Sequence, residues 1–254
     1  MSLQSLSILA GRGRDGGDEA IRRIDLAPGD TLAVVGPTGS GKSELLSDIE
    51  QLADGDTPSG RRILLNGETP QRIPLGLVAT LSQRTNFVID TDVSSFVTTH
   101  AACMGKVAED WPGTVLGLAN RLCGEPIRRD DPLQGLSGGQ TRALMIADIA
   151  LISDAPVILL DELENAGIDK HAAIAALADR GKIILTATHD PVLVLMSRRR
   201  VVMCGGAMSR LYSLDAAEIL WKGSLRELDA VFQTAREALR SGARLTTEGI
   251  PCRT

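Results

Sequence analysis

The chain has 254 residues, 43% of them hydrophobic but only 2% aromatic, and a formal net charge of −5. That length can bury one large core, and no run approaches the ~18 continuous apolar residues of a membrane span. The acidic balance and the scarcity of rings exclude a bulk nucleic-acid binder, which needs a basic footprint or stacking platforms.

In chain order, residues 1 to about 35 are expected to give the strands of a small antiparallel layer, with the 61–66 run beside them. The N-terminal stretch lacks the basic-then-apolar pattern of an export signal, so a cytoplasmic location is expected. Residues 31–35 form a short apolar, β-branched run, the pattern of a buried strand. The segment Gly36-Pro37-Thr38-Gly39-Ser40-Gly41-Lys42-Ser43 follows. It fits G-x-x-x-x-G-K-[ST] at Gly36, Gly41, Lys42 and Ser43. Leu45, Leu46, Ile49 and Leu52 then recur at helical spacing. A glycine-rich turn from strand to helix is a phosphate cradle. Its glycines let the backbone bend round an anion, and the free N–H groups at the helix start point at it. Lys42 is expected on the β- and γ-phosphates, and Ser43 Oγ on Mg²⁺.

A strand over 76–81 precedes Gln83. The insert that follows is punctuated by Pro and Gly, with helical stretches near 92–104 and 113–123. Leu136-Ser137-Gly138-Gly139-Gln140 opens a helix over 141–151, a second anion site at a helix N-terminus. The apolar run 155–160 ends in Asp161-Glu162. An acid at a buried strand end can hold the water shell of Mg²⁺, which assigns Asp161 to the metal side. Glu162, one residue further, is placed to orient or deprotonate an attacking water. Strands near 183–187 and 199–203 complete a mostly parallel core, with His189 just past the first of them. Leu225, Leu228, Phe232, Ala235 and Leu239 form one helical stripe within 213–240, expected to pack on its own domain, with a partner-binding or dimer helix as the alternative, and 242–254 is read as a tail. The cysteines at 103, 123, 204 and 252 lack metal spacing and are expected to be reduced, buried small residues.

From about residue 20 to 212 the chain resembles the nucleotide-binding domain of the ATP-binding cassette (ABC) superfamily. The motifs that carry the likeness are the 36–43 cradle, the Asp161-Glu162 pair and, most specific, Leu136-Ser137-Gly138-Gly139-Gln140. The resemblance implies an α/β P-loop NTPase fold with a mostly parallel core sheet, a small antiparallel β layer and an α-helical subdomain. It places the nucleotide-binding domain at 1–212, with the helical subdomain at about 84–152, and a helical extension and tail at 213–254. It implies ATP and Mg²⁺ as ligands and hydrolysis at a site shared by a dimer, homomeric or with another ABC ATPase. Ser137 and Gly139, with Gly138 and Gln140, would serve the γ-phosphate held by the partner. Gln83 would touch Mg²⁺ or the attacking water, His189 the γ-phosphate, and Asp169 the loop that communicates across the dimer.

Three departures stand out. Residues 1–35 contain no Phe, Tyr, Trp or His to stack on adenine, leaving an arginine plane such as Arg12 or Arg14, or none. GTP use therefore stays open. Leu163-Glu164 follow Glu162 where the family has Pro-Thr, and Asp169 lies eight residues after Asp161, one more than usual. Two roles remain open. One is the ATP-binding subunit of a transporter on the cytoplasmic face of the membrane, with permease subunits on separate chains. The other is a soluble clamp or assembly factor for a cytosolic, metallocofactor-type enzyme.

Overall fold

The computed structural model describes residues 3–72, 74–82, 85–107, 109–162 and 167–245. Strands β1 (Leu6–Leu9), β2 (Arg23–Leu26) and β3 (Thr31–Val35) lead into helix α1 (Lys42–Glu50), then β4 (Arg62–Leu65) and β5 (Val78–Leu81). Helices α2 (Val93–Cys103), α3 (Trp111–Leu122) and α4 (Gly138–Leu151) follow. The chain then alternates through β6 (Val157–Asp161), α5 (Lys170–Ala178), β7 (Ile183–Ala187), α6 (Pro191–Met196) and β8 (Arg199–Cys204). It closes with β9 (Ala207–Ser213) and the long helix α7 (Ala216–Arg240).

Two sheets form. β2, β1 and β4 make an antiparallel layer in which Leu6 faces Leu26 and Leu65, and Ile8 faces Ile24 and Ile63. All six side chains are buried, so one side of this small sheet is apolar. The larger sheet runs β5-β6-β7-β3-β8-β9, parallel except for β9. Its central strands β6, β7 and β3 are buried on both faces, which is why they read as unbroken apolar runs. Alternation still divides them. Val157 and Leu159 of β6 pack with α1 and the antiparallel layer, while Ile158 and Leu160 pack with α2, α3, α4 and α5. The sheet thus lies between two cores, and the carboxyl ends of β3, β5, β6 and β7 share one edge. In open α/β sheets that edge is where ligands bind.

Side chains at the helix starts fix where the helices begin. Asp92 accepts from Ser95 N at the start of α2, and Asp110 from Gly113 N at the start of α3. Replacing such a cap by alanine typically costs ~1 kcal/mol.

Three features differ from the sequence reading. A Gly205-Gly206 turn carries β8 back as β9, adding an antiparallel edge strand. The α7 stripe does not pack wholly on its own domain: Phe232 is 62% and Leu239 60% exposed. The helix instead meets the domain through its charged side, where Asp229 lies 3.6 Å from Lys170 and Glu218 lies 2.5 Å from Arg200. The third concerns thiols. Cys103, Cys123 and Cys204 are unpaired as expected, but Cys103 and Cys204 are exposed and Cys123 half-buried. Cys252 and the tail beyond 245 lie outside the described residues.

Candidate functional site

β3 delivers the chain to the cradle at the middle of the sheet. The turn needs glycine at two places for distinct reasons. Gly41 has φ 100°, and a Cβ on it would stand 2.9 Å from Gly206 Cα. Gly36, with φ 150°, would press a Cβ to 2.5 Å from Met203 O. The cradle is therefore buttressed from behind by β8 and the β8–β9 turn, and Gly206 N also donates to Ser40 O at 2.9 Å. Lys42 Nζ donates to Gly36 O at 2.8 Å and Pro37 O at 3.2 Å, which holds its ammonium along the loop. Ser40 Oγ is buried and makes no hydrogen bond among the described residues.

Ser43 Oγ donates to Asp161 Oδ2 at 3.2 Å. That bond bridges β3's helix and the end of β6, across β7, a span of about 10 Å at ordinary strand spacing. A hydroxyl and a carboxylate facing each other are hard oxygen donors, and the pair fits Mg²⁺. Glu162 leaves the strand line with φ 55°, its N–H donating to Ala187 O at 3.0 Å. Left-handed backbone at a side-chain-bearing residue costs about 1–3 kcal/mol and tends to mark functional sites. His189 is exposed just past β7. Its neighbours hold it there. Thr188 N donates to Val34 O, Asp190 N donates to Thr188 Oγ1, and Asp190 caps α6 while paired with Lys170. Burial alone would raise the Asp190 carboxyl, but the Lys170 hydrogen bond and the Val192 N–H outweigh it and hold it below the usual range.

Ser137, Gly138, Gly139 and Gln140 begin α4 as expected. Ser137 Oγ accepts from Gln140 N, and Gln140 Oε1 accepts from Ser137 N, a reciprocal capping box. Gln140 Nε2 reaches Pro126 O at 3.1 Å. The groove here is lined by Gly124, Glu125, Ser137, Gly139 and Gly167, and includes no residue of the 36–43 loop. Asp169 caps α5 through Ala172 N and donates its own N–H to Leu122 O at 2.7 Å. Its carboxylate therefore has a structural task within its own chain. Gln83 and residues 163–166 lie outside the described residues.

Of the two arginines left open for the base, Arg12 faces Asp18 at 3.9 Å. Arg14 N donates to Gly205 O, and Arg14 Cγ lies 2.9 Å from the place of a Gly206 Cβ, so its stem crosses the turn that backs the cradle. The sequence reading missed that turn, although Gly-Gly between two apolar runs is a hairpin signal.

Comparison with known proteins gives a consistent result. A family model described as ABC transporter matches residues 22–165. An ABC transporter ATP-binding protein of Methanocaldococcus jannaschii is 48% identical, over 98% of each chain. The ATP-dependent lipid A-core flippase of Chromobacterium violaceum is 30% identical over 80% of this chain, which spans 33% of that protein. Among solved structures, cbiO1 of Clostridium perfringens, part of the ABC transporter complex cbiONQ, aligns with TM-score 0.59 at 23% identity. That alignment covers 95% of this chain and 98% of cbiO1, and at such identity it speaks for the fold alone. With more than half of its length matched by the family model and a full-length relative near half identity, the chain belongs to the ABC transporter family of ATP-binding proteins.

Proposed function

We propose that the chain is the ATP-hydrolysing subunit of an ABC transporter, working as a dimer on the cytoplasmic face of a membrane beside separate permease subunits. The observation that carries this is the link from Ser43 to Asp161 at the carboxyl edge, with Lys42 and Glu162 on either side of it. In this reading Lys42 and the N–H groups of 36–43 bind the β- and γ-phosphates of ATP. Glu162 takes the proton of the attacking water, and His189 contacts the γ-phosphate. Ser43 and Asp161, with Gln83, would hold Mg²⁺, which when bound neutralises charge building on the phosphate oxygens. Ser137 and Gly139 of the second subunit close over the γ-phosphate, so binding energy is used for dimer closure and hydrolysis reopens it. Asp169 lies on the loop between the two sites. Residues 1–212 form the nucleotide-binding domain, with the helical subdomain at about 84–152, and 213–254 extend it. Among the described residues no helix is long and apolar enough to cross a membrane, in keeping with permease segments on other chains.

Glu162→Gln tests the reading. It should keep ATP binding, lower turnover by about 10²–10⁴-fold and accumulate an ATP-bound dimer in sedimentation. The trapped protein, used as bait on detergent-solubilised membranes and on cytosol, should retain an integral membrane protein when ATP and Mg²⁺ are present. An unchanged hydrolysis rate would remove Glu162 as the base. Retention of a soluble enzyme alone would replace the transporter by a cytosolic clamp.

A further inference from the structure

Arg61 is wholly buried beside Glu19 and Asp48, which are buried too. Its Nη2 donates to Glu19 Oε1 at 2.7 Å and to Gly206 O at 2.5 Å, and its Nη1 to Asp48 Oδ2 at 2.8 Å. Glu19 accepts in turn from Met208 N at 2.6 Å and from Gly11 N at 2.9 Å, and Asp48 from Ser59 Oγ at 2.8 Å. One guanidinium thus joins four stretches: the β1–β2 connection, α1, the approach to β4 and the β8–β9 turn. Two of these touch the cradle. Helix α1 begins at Lys42, and Gly206 bonds Ser40 O and lies against Gly41.

Stability alone is a poor account of this cluster. Two carboxylates face one guanidinium in the interior, and apolar replacements of such clusters are often neutral or stabilising. What the cluster supplies is a fixed separation between α1 and the turn that supports the loop. We propose that Arg61 is a positioning residue for the cradle, holding Gly206 against Gly41 so that the N–H groups of 36–43 stay arranged for phosphate. The proposal rests on the reading of that loop as the ATP site. Arg61 itself touches no reacting atom.

Steady-state hydrolysis by full-length Arg61→Lys and Arg61→Met, well below each variant's melting temperature, tests it. The KM for ATP should rise about 10- to 100-fold, the scale of effect that a small misplacement has on an oriented site. The kcat at saturation should stay within about twofold. Lysine keeps the charge but not the planar fork that spans Glu19, Asp48 and Gly206 at once, so it should fold and still show the KM rise. If the methionine variant fails to fold, the lysine variant decides. A lowered melting temperature with wild-type KM would make Arg61 structural only and overturn the proposal. Lys42→Ala separates this from failure of the underlying reading. ATP binding lost in Lys42→Ala but wild-type KM in Arg61→Lys removes Arg61 alone. ATP binding unaffected in Lys42→Ala removes the cradle reading, and Arg61's role with it.

Discussion

Arg14 presents an exposed guanidinium beside the cradle, with its stem crossing Gly206 and no side-chain hydrogen bond or ion pair among the described residues. A guanidinium plane stacks on a nucleobase face as a ring does. Such stacking contributes about 1–3 kcal/mol per base and does not read exocyclic groups. Arg14→Ala is therefore expected to weaken ATP and GTP alike, by roughly tenfold, while binding of inorganic tripolyphosphate is unchanged in titration calorimetry. An equal loss for tripolyphosphate would make Arg14 a phosphate contact instead. The cradle itself was legible in the sequence because each fixed position has its own chemical reason within eight consecutive residues. The Arg61 cluster was not. Its partners lie 42 and 13 residues away, and charged residues at such separations carry no local period. Glu162's left-handed backbone was equally silent, since it depends on the bond to Ala187 of the neighbouring strand.

Among elements, α2 and α4 are tied by a polar contact that is sensitive to pH. His100 Nδ1 lies 2.8 Å from Asp148 Oδ1, with both side chains largely covered. The Asp148 hydrogen bond raises the His100 pKa above 6.5, against burial and the charge of Lys106. A folded-state pKa above the unfolded one stabilises most below the unfolded value. That contribution is lost as pH climbs through the folded one. His100→Asn should therefore lower the melting temperature relative to wild type near pH 6 and leave it nearly equal near pH 9, read by thermal unfolding at both. A constant difference across that range would assign the effect to packing against Phe96, whose ring lies 6.1 Å away. Element types followed from period. Unbroken apolar runs gave the covered strands, and spacing of three and four gave α1 and α7. The β9 edge was missed because its polar Ser209 and Arg210 interrupt the alternation. The partner of α7 was misjudged because an apolar stripe says that a face needs cover, without saying which surface supplies it. Phe87 and Val88 illustrate the same limit in adjacent residues. Phe87 packs edge-on to Phe96 while Val88 is exposed.

At the scale of the whole molecule, the two helix starts proposed as anion sites, at Lys42 and at Gly138, do not line one groove. The groove at Ser137 contains no cradle residue. Sites completed across a dimer give a sharp expectation. Ser137→Arg and Lys42→Ala should each abolish hydrolysis alone, yet mixing the two proteins should recover part of the wild-type rate. The mixed dimer pairs an intact cradle with an intact signature helix. No recovery, with dimers present by sedimentation, would mean the sites are not shared. A site shared between subunits could not be read from composition or period; the expectation came from the family resemblance that the 36–43 and 136–140 motifs carry.

The long helix leaves a built-in optical mark. The chain has two tryptophans. Trp111 packs against the helical core, with its ring nitrogen enclosed. Trp221 stands 63% exposed on α7, in the same outward row as Leu228 and Phe232. One indole therefore emits from a partly covered setting and the other from water. Any surface that covers α7, whether a permease loop, a lipid headgroup layer or a second copy, moves the red emitter towards the blue one and shields it from an aqueous quencher. The protein thus reports contact at its C-terminal helix by its own fluorescence, without a label.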